Sequence, residues 1–175
     1  MSRYIVAILI AGLCGYAFSS ETQTIRGWGP FKFGQTLTQA AKAGGPGAQQ
    51  SESAVKLEFD SGGRNYWLEA LATGPSKQVV TQIRIIAGDL QAVTDEGTCD
   101  GLFEPMAALV LAKFGKPTGV VVPFEDIVVS GRTQNWILKD QSRATIDVTF
   151  RRQGPLSEIP CDAHIDLYPG KKSTK

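Results

Sequence analysis

Between Phe103 and Phe114 the apolar side chains return at Phe103, Met106 with Ala107, Val110 and Phe114. This is the spacing of one helical face, so the segment from about Gly101 to Phe114 reads as a helix carrying a continuous apolar stripe. Such a stripe is stable only against a second apolar surface. Gly115 stands where a left-handed residue ends a helix, Pro117 forbids its resumption, and Lys113 sets a positive charge on the negative end of the dipole.

The receiving surface is a sheet, because the flanking segments change to a period of two. Val55, Leu57 and Phe59 alternate with Lys56, Glu58 and Asp60; Val79, Thr81, Ile83 and Ile85 with Gln82 and Arg84. Ile146, Val148 and Phe150 alternate with Thr145, Asp147, Thr149 and Arg151; Ala163, Ile165 and Leu167 with Asp162, His164 and Asp166. Each set has one apolar and one polar face. Tyr66 to Ala72, the apolar run from Gly119 to Val129, and Gln134 to Lys139 supply further strands, and Ser61-Gly62-Gly63 and Ser130-Gly131 read as turns between antiparallel neighbours. Gly88 to Thr98 reads as a polar connection. A second helix, Thr36 to Ala43, opens on the capping box Thr36-Leu37-Thr38-Gln39 and stops at Gly44-Gly45-Pro46-Gly47. The expectation is one α+β domain over residues 24–169, a two-layer structure with both helices on one face of an antiparallel sheet. A helix followed by about three strands occurs twice, and Arg64 and Arg132 each precede a tryptophan, Trp67 and Trp136, which suggests an internal repeat.

Residues 1–19 have one positive charge, Arg3, then an apolar run from Tyr4 to Phe18, and read as a cleaved signal peptide. The alternative is an uncleaved anchor, although the run is shorter than the ~20 residues of a spanning helix. Removing that leader with Arg3 leaves 17 of the 18 Lys and Arg residues against 17 Asp and Glu, a neutral chain. Nucleic acid, which draws on a clustered basic excess, is a poor partner for it, and a membrane contact after leader removal is not expected. The basic stretch within 170–175 reads as a solvated tail. Of three cysteines, two remain after Cys14 departs with the leader. In an exported protein, placed in the periplasm or outside a bacterial cell, Cys99 and Cys161 are expected to form a disulfide. The rival reading of a metal or catalytic thiol has no C-x-x-C spacing behind it.

The segment G-W-G-P-F-K-F-G-Q-T-L-T-Q-A from Gly27 to Ala40, with F-G-K-P from Phe114 to Pro117, resembles the opening and helix exit of small exported bacterial domains. These are the beta-lactamase-inhibitor-like proteins and the SmpA/OmlA-type outer-membrane assembly lipoproteins. The resemblance implies a non-enzymatic domain that binds another protein through the open face of its sheet. The matched positions shape helix entry and exit, so they transfer no binding residues.

His164 is the sole histidine, in the row Asp162-x-His164-x-Asp166. Such a row can offer metal ligands or an oriented base, but its side chains stand about 7 Å apart along a strand and point outward in parallel, as on a solvated face. With one histidine and no nucleophile turn, no hydrolytic triad can be composed, and the glycines lack the strand-to-helix setting of a phosphate loop. No catalytic residue, metal or cofactor is therefore assigned. The binding candidates are Arg64, Tyr66 and Arg132 beside the Ser-Gly turns, with Arg84, Arg151 and His164 on the polar sheet face, since Arg and Tyr are enriched at interface hot spots. The expected function is a protein-binding module, inhibitor-like or assembly-like, whose partner is another protein of the envelope or outside the cell; the alternative is a small-ligand carrier or enzyme of the periplasm.

Overall fold

The computed structural model describes residues 24–73, 78–152 and 160–170. The expected leader at 1–19, and the expected tail beyond Gly170, lie outside them. After a small hairpin, β1 (Gly27–Trp28) and β2 (Phe31–Lys32), comes helix α1 (Leu37–Gly44). Its capping box is formed in full: the Thr36 hydroxyl accepts from the Gln39 N–H at 3.2 Å, and the Gln39 side chain accepts from the Thr36 N–H at 2.9 Å. Then follow β3 (Gln49–Gln50), β4 (Ala54–Ser61), β5 (Arg64–Leu71) and β6 (Gln82–Ala87), helices α2 (Glu96–Asp100) and α3 (Phe103–Phe114), and β7 (Val122–Glu125), β8 (Val129–Ile137), β9 (Arg143–Arg151) and β10 (Cys161–Tyr168).

The structure is mixed α and β, and its main sheet is antiparallel throughout, in the order β3-β4-β5-β6-β10-β9-β8-β7. The register puts Val55, Leu68, Ile85, Ile165, Ile146 and Trp136 on one face. These join Leu37 and Ala40 of α1 and Phe103, Met106, Val110 and Phe114 of α3 in one buried cluster, with Phe150 packed partly buried against it. Gly115 ends α3 with φ +77°, and the Trp136 indole N–H donates to its carbonyl at 3.0 Å, tying the helix exit to β8. Phe31 is buried, while Trp28 meets Phe114 edge to face, with Lys113 over the indole ring at 4.3 Å. Cys99 of α2 and Cys161 of β10 are joined by a disulfide, with Cα atoms 5.7 Å apart. No helix among the described residues is long and apolar enough to cross a membrane.

Two local expectations fail. The polar connection expected over Gly88 to Thr98 is not irregular to its end: from Glu96 the chain forms α2, a single turn capped by Asp95. Ser130-Gly131 is not a turn but lies within β8; the chain reverses over Ile127 and Val128, where the Asp126 N–H donates to the Val129 carbonyl at 2.7 Å. Gly131 suits a strand here because the β9 backbone approaches closely: a Cβ on it would sit 2.1 Å from the Val148 carbonyl oxygen. By contrast Gly62 and Gly63, at φ +59° and +73°, do form the tight turn between β4 and β5 that the sequence predicts. The two Arg-then-Trp segments fall on β5 and β8, which are third and second from their respective sheet edges and so hold non-equivalent places.

Candidate functional site

The face of the sheet opposite the core carries the polar half of every alternation. On its central strands the Arg84 guanidinium grips the Asp166 carboxylate with two bonds, 2.7 and 3.0 Å. The Tyr168 hydroxyl donates to the same carboxylate at 3.3 Å and accepts from Gln82. Lys56 of β4 pairs with Glu69 of β5 at 2.6 Å. Each of these residues faces its partner because antiparallel register sets Glu69, Arg84 and Asp166 in one row across β5, β6 and β10.

His164 departs from the solvated-row expectation. Its side chain is 15% exposed, with Nδ1 3.0 Å from Asp162 and Nε2 3.7 and 4.0 Å from Asp166 and Asp147. The side chains lean together across β9 and β10 rather than pointing out in parallel. Burial disfavours charge on this imidazole, yet the hydrogen bond that it donates to Asp162 and the fields of Asp162 and Asp166 outweigh it and raise the His164 pKa above its ordinary value. Asp162 is held low by its bond to His164. Burial pushes Asp166 up, but its bonds from Arg84 prevail and lower it; the same bonds raise Arg84. Protonated, the imidazole is one cation held among three carboxylates. Among the described residues no group of three or more His, Cys, Asp or Glu is arranged to hold a metal ion.

The sequence candidates divide between the two faces. Arg84, His164 and Arg151 stand on this polar face, Arg151 at its exposed outer end. Arg64 is exposed at the β4–β5 turn. Tyr66 is not an open anchor: it faces the core, 2% exposed, and stacks on Phe59 at 5.4 Å. Burial pushes its phenol pKa up. Arg132 also lies on the core side, over the Phe103 ring at 4.4 Å and bonded to Asp100. Because Ser130-Gly131 continues a strand, period-two alternation sends Arg132 under the helices rather than into a loop.

An apolar wing adjoins the charged centre, and the binding candidates read from sequence do not include it. Val122 and Phe124 on β7, with Val120 before it and Ile137 on β8, are exposed, as are Ile127 and Val128 at the hairpin tip; Phe124 is 39% exposed, Val120 and Ile127 each 79%. A sequence signal for it exists in Pro123, since proline in a strand marks an edge. The bond from Asp126 to Val129 makes 122/133 and 124/131 the hydrogen-bonded pairs, so the Pro123 nitrogen faces outward, where no donor is needed. The edge offers a partner an incomplete ladder, but the side chains beside it remain open.

No protein-family model, curated protein or solved structure matches the chain. The likeness to exported inhibitor-like and assembly domains therefore rests on the opening and helix-exit motifs alone.

Proposed function

We propose that this is a non-catalytic module that binds another protein, in the cell envelope or outside the cell, through the sheet face opposite its core. In this reading the fold is two layers, α1 and α3 on one side of the sheet and that face bare on the other. Helix plus four strands occurs twice, β3 to β6 and β7 to β10, and the halves meet at the β6–β10 pair. The Cys99–Cys161 bond fits an oxidising compartment.

The observation that carries the proposal is the pairing of a charged, internally braced centre with an exposed aliphatic and aromatic wing on one continuous surface. A braced Arg84 keeps its geometry without a partner, so little side-chain freedom is lost on binding, and the wing supplies apolar area to bury. A catalytic role for His164 finds less support, because both ring nitrogens are directed at carboxylates rather than at open space. A carrier role finds less support too: the pocket between β5, α2 and α3 holds about 210 Å³, below the usual ~300–1,000 Å³ of small-molecule sites, and the larger groove between the β7–β8 hairpin and α2, of about 530 Å³, carries four charged side chains, Glu96, Asp100, Glu125 and Arg132, where such sites have few polar groups.

The test is capture from envelope extract by the oxidised protein, repeated with Phe124→Ser and Arg84→Ala. A partner retained by the wild type should be lost or weakened at least tenfold by each variant. Equal capture by both variants, with unfolding midpoints showing the fold intact, would remove this face from the interaction.

A further inference from the structure

On the opposite side of the β7–β8 hairpin, the hairpin and α2 enclose a groove of about 530 Å³. Its floor is apolar: Val148 and Phe150 of β9, and Cys99 of the disulfide. Pro123, whose side chain shares the core-side face with Arg132, forms the outer wall. Its charged lining is Glu96, Asp100, Glu125 and Arg132, and ion pairs to Arg152 and Glu104 beside it extend this into a rim of two braced sets. Arg152 joins Glu96 at 2.9 Å to Glu125 at 2.8 Å, and Arg132 joins Asp100 at 2.6 Å to Glu104 at 3.4 Å. Four carboxylates against two guanidiniums leave a net charge of −2.

Both guanidiniums are already engaged. Arg132 is fixed over the Phe103 ring at 4.4 Å, and Arg152 also donates to the Asp126 carbonyl at 3.1 Å. The Glu104 and Glu125 side chains, in contrast, are 74% and 72% exposed, so each keeps acceptor capacity facing water. We infer that this groove is a second docking surface, for an extended cationic segment of another protein with apolar side chains set between its lysines or arginines. The apolar floor takes the side chains, and the acidic rim takes the charges. A second copy of this chain is a poor occupant, because its own exposed apolar tip, Ile127 and Val128, follows Glu125 and Asp126 and would bring like charge to the rim. Addition of a strand to β7 is likewise disfavoured, since Pro123 leaves the outer edge one donor short. This inference is independent of the opposite-face proposal and survives its failure.

The experiment is fluorescence anisotropy with the oxidised protein and two fluorescein-labelled hexapeptides, one alternating lysine with leucine, the other glutamate with leucine. Saturable binding of the lysine peptide alone is expected, weakening as salt rises. The Glu104→Lys/Glu125→Lys variant, altered only at exposed side chains and checked by its unfolding midpoint, should bind it at least tenfold more weakly. Amide shifts in a nitrogen-15 NMR titration should move at Ser130, Arg132 and Phe150. Binding of both peptides alike, no binding of either, unchanged affinity in the charge-reversed variant, or shifts confined to Asp162 and His164 would each overturn the inference.

Discussion

Replacing both half-cystines with alanine, Cys99→Ala/Cys161→Ala, removes a cross-link between residues 62 positions apart that encloses α3, β7, β8 and β9. Closing a loop of that length removes roughly 14 cal/mol/K from the unfolded ensemble, about 4 kcal/mol at 25 °C in the chain-entropy treatment. For a domain of this size that corresponds to a fall in Tm of about 10 °C. Both sulfurs are buried, so the alanine pair also alters packing. Wild-type protein held reduced separates the two effects, because it retains the sulfur atoms and loses only the bond. Urea unfolding of the oxidised, reduced and double-alanine forms should give midpoints in that descending order. The slope should be lower for the oxidised form, whose cross-linked unfolded chain exposes less surface. Coincident midpoints and slopes for oxidised and reduced protein would refute the reasoning, since the bond would then place no restriction on the unfolded chain.

Trp136→Phe deletes the donor that satisfies the Gly115 carbonyl while keeping most of the buried ring, and should cost about 1–3 kcal/mol in urea unfolding; a change near zero would show that water replaces the indole. His164 gives a pH dependence of definite sign. Its folded pKa lies above its ordinary 6.5, so its stabilising contribution is complete below 6.5 and fades as pH rises through the folded value. Wild-type midpoints should therefore fall relative to His164→Asn across that interval, and a constant difference between the two from about pH 5 to pH 9 would contradict the ion cluster.

Elements with strong local signatures were legible in the sequence. Thr36 and Gln39 announce α1, the stripe from Phe103 to Phe114 announces α3, and alternation sorts Arg84, Asp147 and His164 onto one face and Ile85, Ile146 and Ile165 onto the other. The pairing of Cys99 with Cys161 was legible in the cysteine count, once Cys14 is assigned to the expected leader. What local pattern does not carry is the rest. A single helical turn such as α2 buries only Cys99, too little for a period to show. Val120 to Phe124 reads the same whether an apolar run is buried or exposed, and only its place at the edge of the sheet decides. Ser-Gly favours turns and so sets Arg132 beside a loop on local pattern alone, whereas the close approach of β9 gives Gly131 a different purpose. The leaning together of Asp162, His164 and Asp147 depends on contacts across strands, which alternation along one strand does not reveal.

Of the ten strands among the described residues, the one latest in chain order, β10, lies in the interior of the main sheet, hydrogen-bonded to β6 on one side and β9 on the other. During synthesis, strands β3 to β6 and later β7 to β9 emerge as two separate ribbons, each ending in a bare inner edge, and neither can join the other until residues 161–168 leave the ribosome. A nascent chain stalled before Cys161 thus presents two unpaired templates to its neighbours and lacks the partner of Cys99 as well. Loss of those eight residues would split the molecule along its midline rather than trim its rim.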